Sequence, residues 1–173
     1  MHIIYNHSSG GQILQSGALE IPGISQSYKD KGYIHTPIVA KALKEKNISM
    51  VALTAGDFQV PLNKDQPEGL AFDVLHIPFA DSQTLTSEEL EQIKGMVLPS
   101  AAKMAEAVRQ GRKVLSTCWA GINRSSLLTI HTLKLLEPGL TTVDIVLLIR
   151  KQRYVNCLNN VVFQDIVYRE AWG

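Results

Sequence analysis

Only two cysteines, Cys118 and Cys157, occur in the 173 residues. That is too few for a disulfide framework at this size, and each is expected as a free thiol in a reducing cytoplasm. No apolar run approaches the roughly 18 residues a membrane-spanning helix needs, so no membrane partner is expected. No basic stretch followed by an apolar one opens the sequence, and nothing in it reads as an export signal. A net charge of +1 gives no field that would gather a nucleic acid. The histidines, His2, His7, His35, His76 and His131, form no ligand spacing, so neither a metal nor a cofactor is expected. The glycine pair of "HSSGG" lacks the Lys-Ser/Thr ending of a nucleotide loop. Arginine is missing from the first 108 residues, where lysine carries the positive charge; all six arginines fall at or after Arg109. A guanidinium fork suits phosphate or carboxylate better than an ammonium does, so the asymmetry points to an anion site in the second half.

What is present is an ordinary globular composition, 45% hydrophobic and 19% charged, enough for one domain over 1–173 and against disorder. "HIIYN", "QILQSGAL", "ISMVALT", "FDVLHIPF" and "KVLST" read as strands. "TPIVAKALKEKN" reads as an amphipathic helix with Thr36 as N-cap and Pro37 in its first turn. Thr86 with Glu89, and Thr141 with Asp144, have the spacing that opens a helix by reciprocal capping. Pro99 lacks an N–H and is expected to kink or divide the first of those helices, with Gly111 just past its end. "RSSLLTIHTLKLL" is a strongly apolar helix, and a last one spans about 160–170. Residues 55–70, rich in Gly, Pro, Asn and Asp, read as a long loop. Strands alternating with helices predict an α/β fold: a mixed, largely parallel central sheet with helices on both faces.

The stretch "VLSTCWAGINRSS" sets Cys118 between a buried strand and a helix. A helix opening near Arg124 turns its unpaired N–H groups and positive dipole end toward the loop. Successive loop amides, from Trp119, Ala120, Gly121, Ile122 and Asn123 to Arg124, can form a nest for a phosphate-sized anion. Gly121 permits a backbone conformation that a Cβ would obstruct, and Arg124 can clamp two oxygens. Such positive surroundings favour the thiolate, which makes Cys118 a candidate nucleophile. Cys-x5-Arg alone is weak evidence, because a buried cysteine usually fills core; the strand, glycine, Arg-Ser pair and helix together give it force.

Cys118, Gly121, Arg124 and Ser125 resemble the Cys-x-x-Gly-x-x-Arg-Ser/Thr signature of the cysteine-dependent tyrosine phosphatases, in their compact dual-specificity branch. The resemblance runs from about residue 36 to the end. "FDVLHIPFAD" is similar to the strand leading into that family's general-acid loop, and Arg153, Asn160 and Phe163 stand in places matching its helix–Arg–Asn–x–x–Phe ending. It implies a phosphatase-like fold and a phosphomonoester hydrolase, acting as a monomer on a phosphorylated protein or a small phosphomonoester. It also implies roles: Cys118 as nucleophile, Arg124 and the loop amides on the phosphoryl oxygens, Asp81 as general acid, and Ser125 as donor to the departing thiolate. Thr117 stands where the family has a histidine that helps order the loop, so a slower enzyme is expected. Trp119 is expected in the pocket wall. The absence of lysine from the loop lowers a phosphoinositide substrate, and Cys157 is expected as a packed core thiol. Two alternatives remain: a phosphate-reading module without turnover, and a rhodanese-like sulfur transferase, which the Arg-Ser pair and Asp81 disfavour.

Overall fold

The computed structural model describes residues 1–22, 36–55 and 72–173, so the loop expected at 55–70 lies almost wholly outside the described residues. Five strands, β1 (His2–Asn6), β2 (Gln12–Gly17), β3 (Ile48–Leu53), β4 (Asp73–His76) and β5 (Lys113–Cys118), form one sheet in the order β1-β2-β5-β3-β4. β1 runs antiparallel to β2, and the other three pairings are parallel. This is the mixed, largely parallel sheet expected from the sequence. β4 is shorter than "FDVLHIPF" implied. Past His76 the pairing survives as single bonds, Ile77 N–H to the Leu53 carbonyl (3.0 Å) and Phe79 N–H to that of Thr54 (3.2 Å).

Alternation along the strands builds two cores, because successive side chains point to opposite faces. Ile13, Met50, Ala52 and Val114 face one side; Leu14, Val51, Leu53 and Leu115 face the other. Helix α1 (Thr36–Glu45) covers the second face through Val39 and Leu43. The first face is covered by α2 (Ser87–Arg109), α3 (Arg124–Leu136), α4 (Thr142–Gln152) and α5 (Val161–Tyr168). Both capping boxes are present: the Thr86 and Thr141 hydroxyls each accept the backbone N–H three residues on, and Glu89 and Asp144 reach back.

The expected division at Pro99 does not occur. Helix α2 continues through it without a break. The carbonyl left without its donor belongs to Gly95, and both residues lie on the exposed side of the helix, where solvent can solvate a freed carbonyl. Ile93, Val97, Ala101 and Met104 meanwhile hold both halves on the core. Gly111, at φ +83°, ends this helix as expected and sends the chain into β5. That strand lies between β2 and β3, so the loop after it opens at the carboxyl ends of three parallel strands, where open α/β sheets leave a crevice.

Candidate active site

Four consecutive carbonyls of the loop after β5 are held by donors from outside it. Trp119 O accepts from Ala18 N–H (2.9 Å) and Ile122 O from Leu158 N–H (2.9 Å). Ala120 O accepts from Arg153 Nη2 at 3.1 Å. Gly121 O accepts from Arg153 Nε at 2.6 Å and from the buried amide of Gln15 at 3.0 Å. A planar trans peptide points its N–H opposite its C=O. Pulling these carbonyls outward therefore turns the amides of Ala120, Gly121, Ile122 and Asn123 inward. One of them is already engaged: the Gly121 N–H donates to Cys118 Sγ at 3.2 Å.

Cys118 is buried at the end of β5. Its thiol donates to Ser125 Oγ at 3.3 Å; with a thiolate the same pair reverses and the serine donates. Arg124, at the start of α3, is also buried, and its Nη1 donates to the Phe79 carbonyl at 3.2 Å. Its Nε has no partner among the described residues. A buried guanidinium with an unused N–H beside a row of inward amides has the donors that an anion could accept from.

Thr117, where the signature has histidine, is buried. Its carbonyl accepts both the N–H (3.1 Å) and the hydroxyl (2.8 Å) of Thr54, which fixes the end of β5 against β3. Loop order comes instead from behind. Arg153 binds the loop carbonyls and pairs with Glu20 at 2.6 Å. Burial opposes ionisation of Glu20, yet hydrogen bonds from Arg153, the terminal ammonium and the Gly17 N–H outweigh it and bring its carboxyl down to about 2. Neither Gln15 nor Glu20 was singled out from the sequence. An amide side chain directly after Ile13 and Leu14 in the middle of a strand was the available signal for Gln15; nothing local marks the pairing of Glu20 with Arg153, 133 residues away.

Asp81 sits on the segment between β4 and α2 and is exposed. Its Oδ2 accepts from Asn123 Nδ2 at 3.0 Å and its Oδ1 from Asn160 Nδ2 at 2.8 Å. The structure thus brings Asp81 to the loop that holds Cys118 and Arg124. The Trp119 indole is half-buried and packs against the core under α1. Cys157 is buried, its sulfur 4.0 Å from the Gly121 carbonyl oxygen, and burial pushes its thiol up.

The fold has counterparts among solved structures. Human DUSP28 superposes with a TM-score of 0.65 at 16% identity, covering 99% of this chain and 96% of that one. For Tk-PTP in its active form the values are 0.60 and 19%, with 92% and 89% covered. The fold is that of the dual-specificity tyrosine phosphatases. A third phosphatase-fold neighbour is the human tyrosine phosphatase-like serine/threonine/tyrosine-interacting protein, at 0.58 and 16%, covering 98% and 97%. No family model matches the chain, and no curated protein sequence does. Within this phosphatase fold no helix among the described residues is long and apolar enough to cross a membrane.

Proposed function

We propose that the chain is a phosphomonoester hydrolase of the tyrosine or dual-specificity type, acting without a metal on a phosphorylated protein or a small phosphomonoester. The observation that carries this reading is the set of four loop carbonyls tied outward, which aims a row of amides at the space beside Cys118 and Arg124. In the first step the Cys118 thiolate attacks phosphorus; the S–P bond forms, the ester P–O bond breaks, and Asp81 gives its proton to the leaving oxygen. The inward amides and Arg124 hold the equatorial oxygens, where charge collects in the transition state. In the second step Asp81 takes a proton from water, which attacks phosphorus. The S–P bond breaks, and Ser125 donates to the departing thiolate. Ester and water have become alcohol and phosphate.

The test is hydrolysis of para-nitrophenyl phosphate in excess chelator. Turnover abolished by Cys118→Ser, with a phosphocysteine trapped at Cys118 in the active protein, supports the reading. Undiminished turnover in Cys118→Ser sinks it. A second reading, a phosphate-binding module without turnover, is favoured by Thr117 in the histidine position. It predicts phosphopeptide or vanadate binding with no phosphate release. Cyanide-dependent consumption of thiosulfate would instead indicate sulfur transfer.

A further inference from the structure

We propose that Asn123 is a positioning residue for acid catalysis: its side-chain amide, mounted on the phosphate-binding loop, holds the Asp81 carboxyl in place, so that the acid-bearing segment and the loop act as one unit. This rests on the phosphatase reading of the site and extends it to a residue whose side chain that reading leaves unassigned.

An asparagine at an N-cap ordinarily accepts a backbone N–H of its own helix. Asn123 occupies that position before α3, at φ −102° and ψ −64°, and its side chain makes no capping bond. The first turn of α3 is left open toward the anion site, and the amide is turned elsewhere. Its orientation is determined by its partners. Oδ1 accepts from the Asn160 backbone N–H at 3.0 Å; a backbone N–H can only donate, so the oxygen must face it. Nδ2 then spends its two protons on Asp81 Oδ2 at 3.0 Å and Asn159 Oδ1 at 2.8 Å.

Asn160 works from the other side with its direction equally set. Its Oδ1 caps α5 by accepting from Val162 N–H (2.9 Å) and Phe163 N–H (3.2 Å). Its Nδ2 therefore faces outward, to Asp81 Oδ1 at 2.8 Å and the Ser82 carbonyl at 3.1 Å. Asp81 itself belongs to no helix or strand. Among the described residues, the side-chain partners of its carboxylate are these two amides. Consecutive loop residues thus grip the acid segment twice, Arg124 at the Phe79 carbonyl and Asn123 at Asp81. An acid held in the direction of transfer is worth more than one that must find it.

The experiment measures Asn123→Ala across aryl phosphates from 2,4-dinitrophenyl, whose leaving group needs no proton, to phenyl, whose leaving group does. The expected result is a kcat ratio between the two esters at least tenfold larger than in the unaltered protein, with KM and vanadate affinity shifted less than threefold. A uniform fall along the series, as general damage to the loop would give, overturns the proposal. Should Asn123→Ala fail to fold, Asn123→Leu keeps the volume while removing the donors and sets no second carboxyl beside Asp81; the same widening is expected, and its absence is equally decisive. A readout without turnover separates this from the phosphatase reading. In labelled protein, the Asn123 side-chain amide resonances should be displaced in Asp81→Asn, because that substitution removes the carboxylate they donate to. A catalytically silent protein that shows this displacement overturns the hydrolase and retains the coupling. An Asn123 amide indifferent to Asp81→Asn overturns the coupling.

Discussion

Gly121 bears two constraints at a single Cα. Its φ of +70° lies where L side chains are strained, at about 1–2 kcal/mol for a residue with a Cβ. A Cβ there would also stand 2.4 Å from Arg153 Nη2, 2.5 Å from Ser16 C and 2.6 Å from Gly17 N. The arginine end can shift, but the two backbone atoms of β2 cannot without dragging the sheet. Gly121→Ala is therefore expected to lose vanadate affinity by more than tenfold and to lower the melting temperature by several degrees, measured by titration calorimetry and by thermal melts. Full vanadate affinity in that variant would show that the loop does not depend on this peptide. Glu20 acts one contact further back. Because its carboxyl lies at about 2 in the native protein and near about 4.3 when unfolded, its contribution to stability is complete above that unfolded value. It is lost as pH falls from there through the native one. Glu20→Gln should thus be least stable relative to the parent near neutrality, with the gap closing toward pH 2 in denaturant melts. A gap that stays constant would mean that Glu20 acts by shape rather than charge.

At the scale of elements, α2 offers a direct test of why it survives its proline. Gly95 lies in the exposed interior of that helix, and a Cβ there meets nothing within 4 Å. Gly95→Ala is expected to stabilise by about 1 kcal/mol, the usual helix-propensity difference, and to raise the melting temperature by about 2–4 °C for a chain of this size. A lower value would mean that the glycine is needed to seat the Pro99 ring. The same helix shows which features a sequence displays. Thr86 with Glu89 and Thr141 with Asp144 lie three residues apart and act through local hydrogen bonds, so their spacing alone announced two helix starts. The short apolar runs of "QILQSGAL" and "KVLST", set off by turn residues or glycine, announced strands for the same local reason. Cys118, Gly121, Arg124 and Ser125 were legible because one loop carries them all. The division expected at Pro99 did not follow, since the cost of the proline depends on whether the freed carbonyl meets solvent, which the residue types do not state. The ties that shape the site, Gln15 to Gly121, Glu20 to Arg153 and Asp81 to Asn123, join residues 42 to 133 apart. No window along the chain brings such pairs together.

At the scale of the whole molecule, His131 links stability to pH. It is buried in α3 with its ring 5.4 Å from that of Trp172. Burial lowers it to about 4, assisted by Lys134 and opposed by a hydrogen bond to the Leu127 carbonyl. The native imidazole stays neutral down to that value, whereas the unfolded one charges from about 6.5. Between those two values the unfolded chain binds the extra proton, so stability falls as pH falls through the window. His131→Gln, which cannot titrate, should flatten the slope of melting temperature against pH between about 6.5 and 4; an unchanged slope would assign the loss to other groups. One peptide gathers the rest of the molecule around it. The Gly121 carbonyl is claimed by Gln15, 106 positions upstream, and by Arg153, 32 downstream. Closures of that length form slowly. The loop between β5 and α3 is then expected to take its final shape late in refolding, and trimming away either β2 or the segment after α4 would leave the Gly121 carbonyl short of one of its two distant donors.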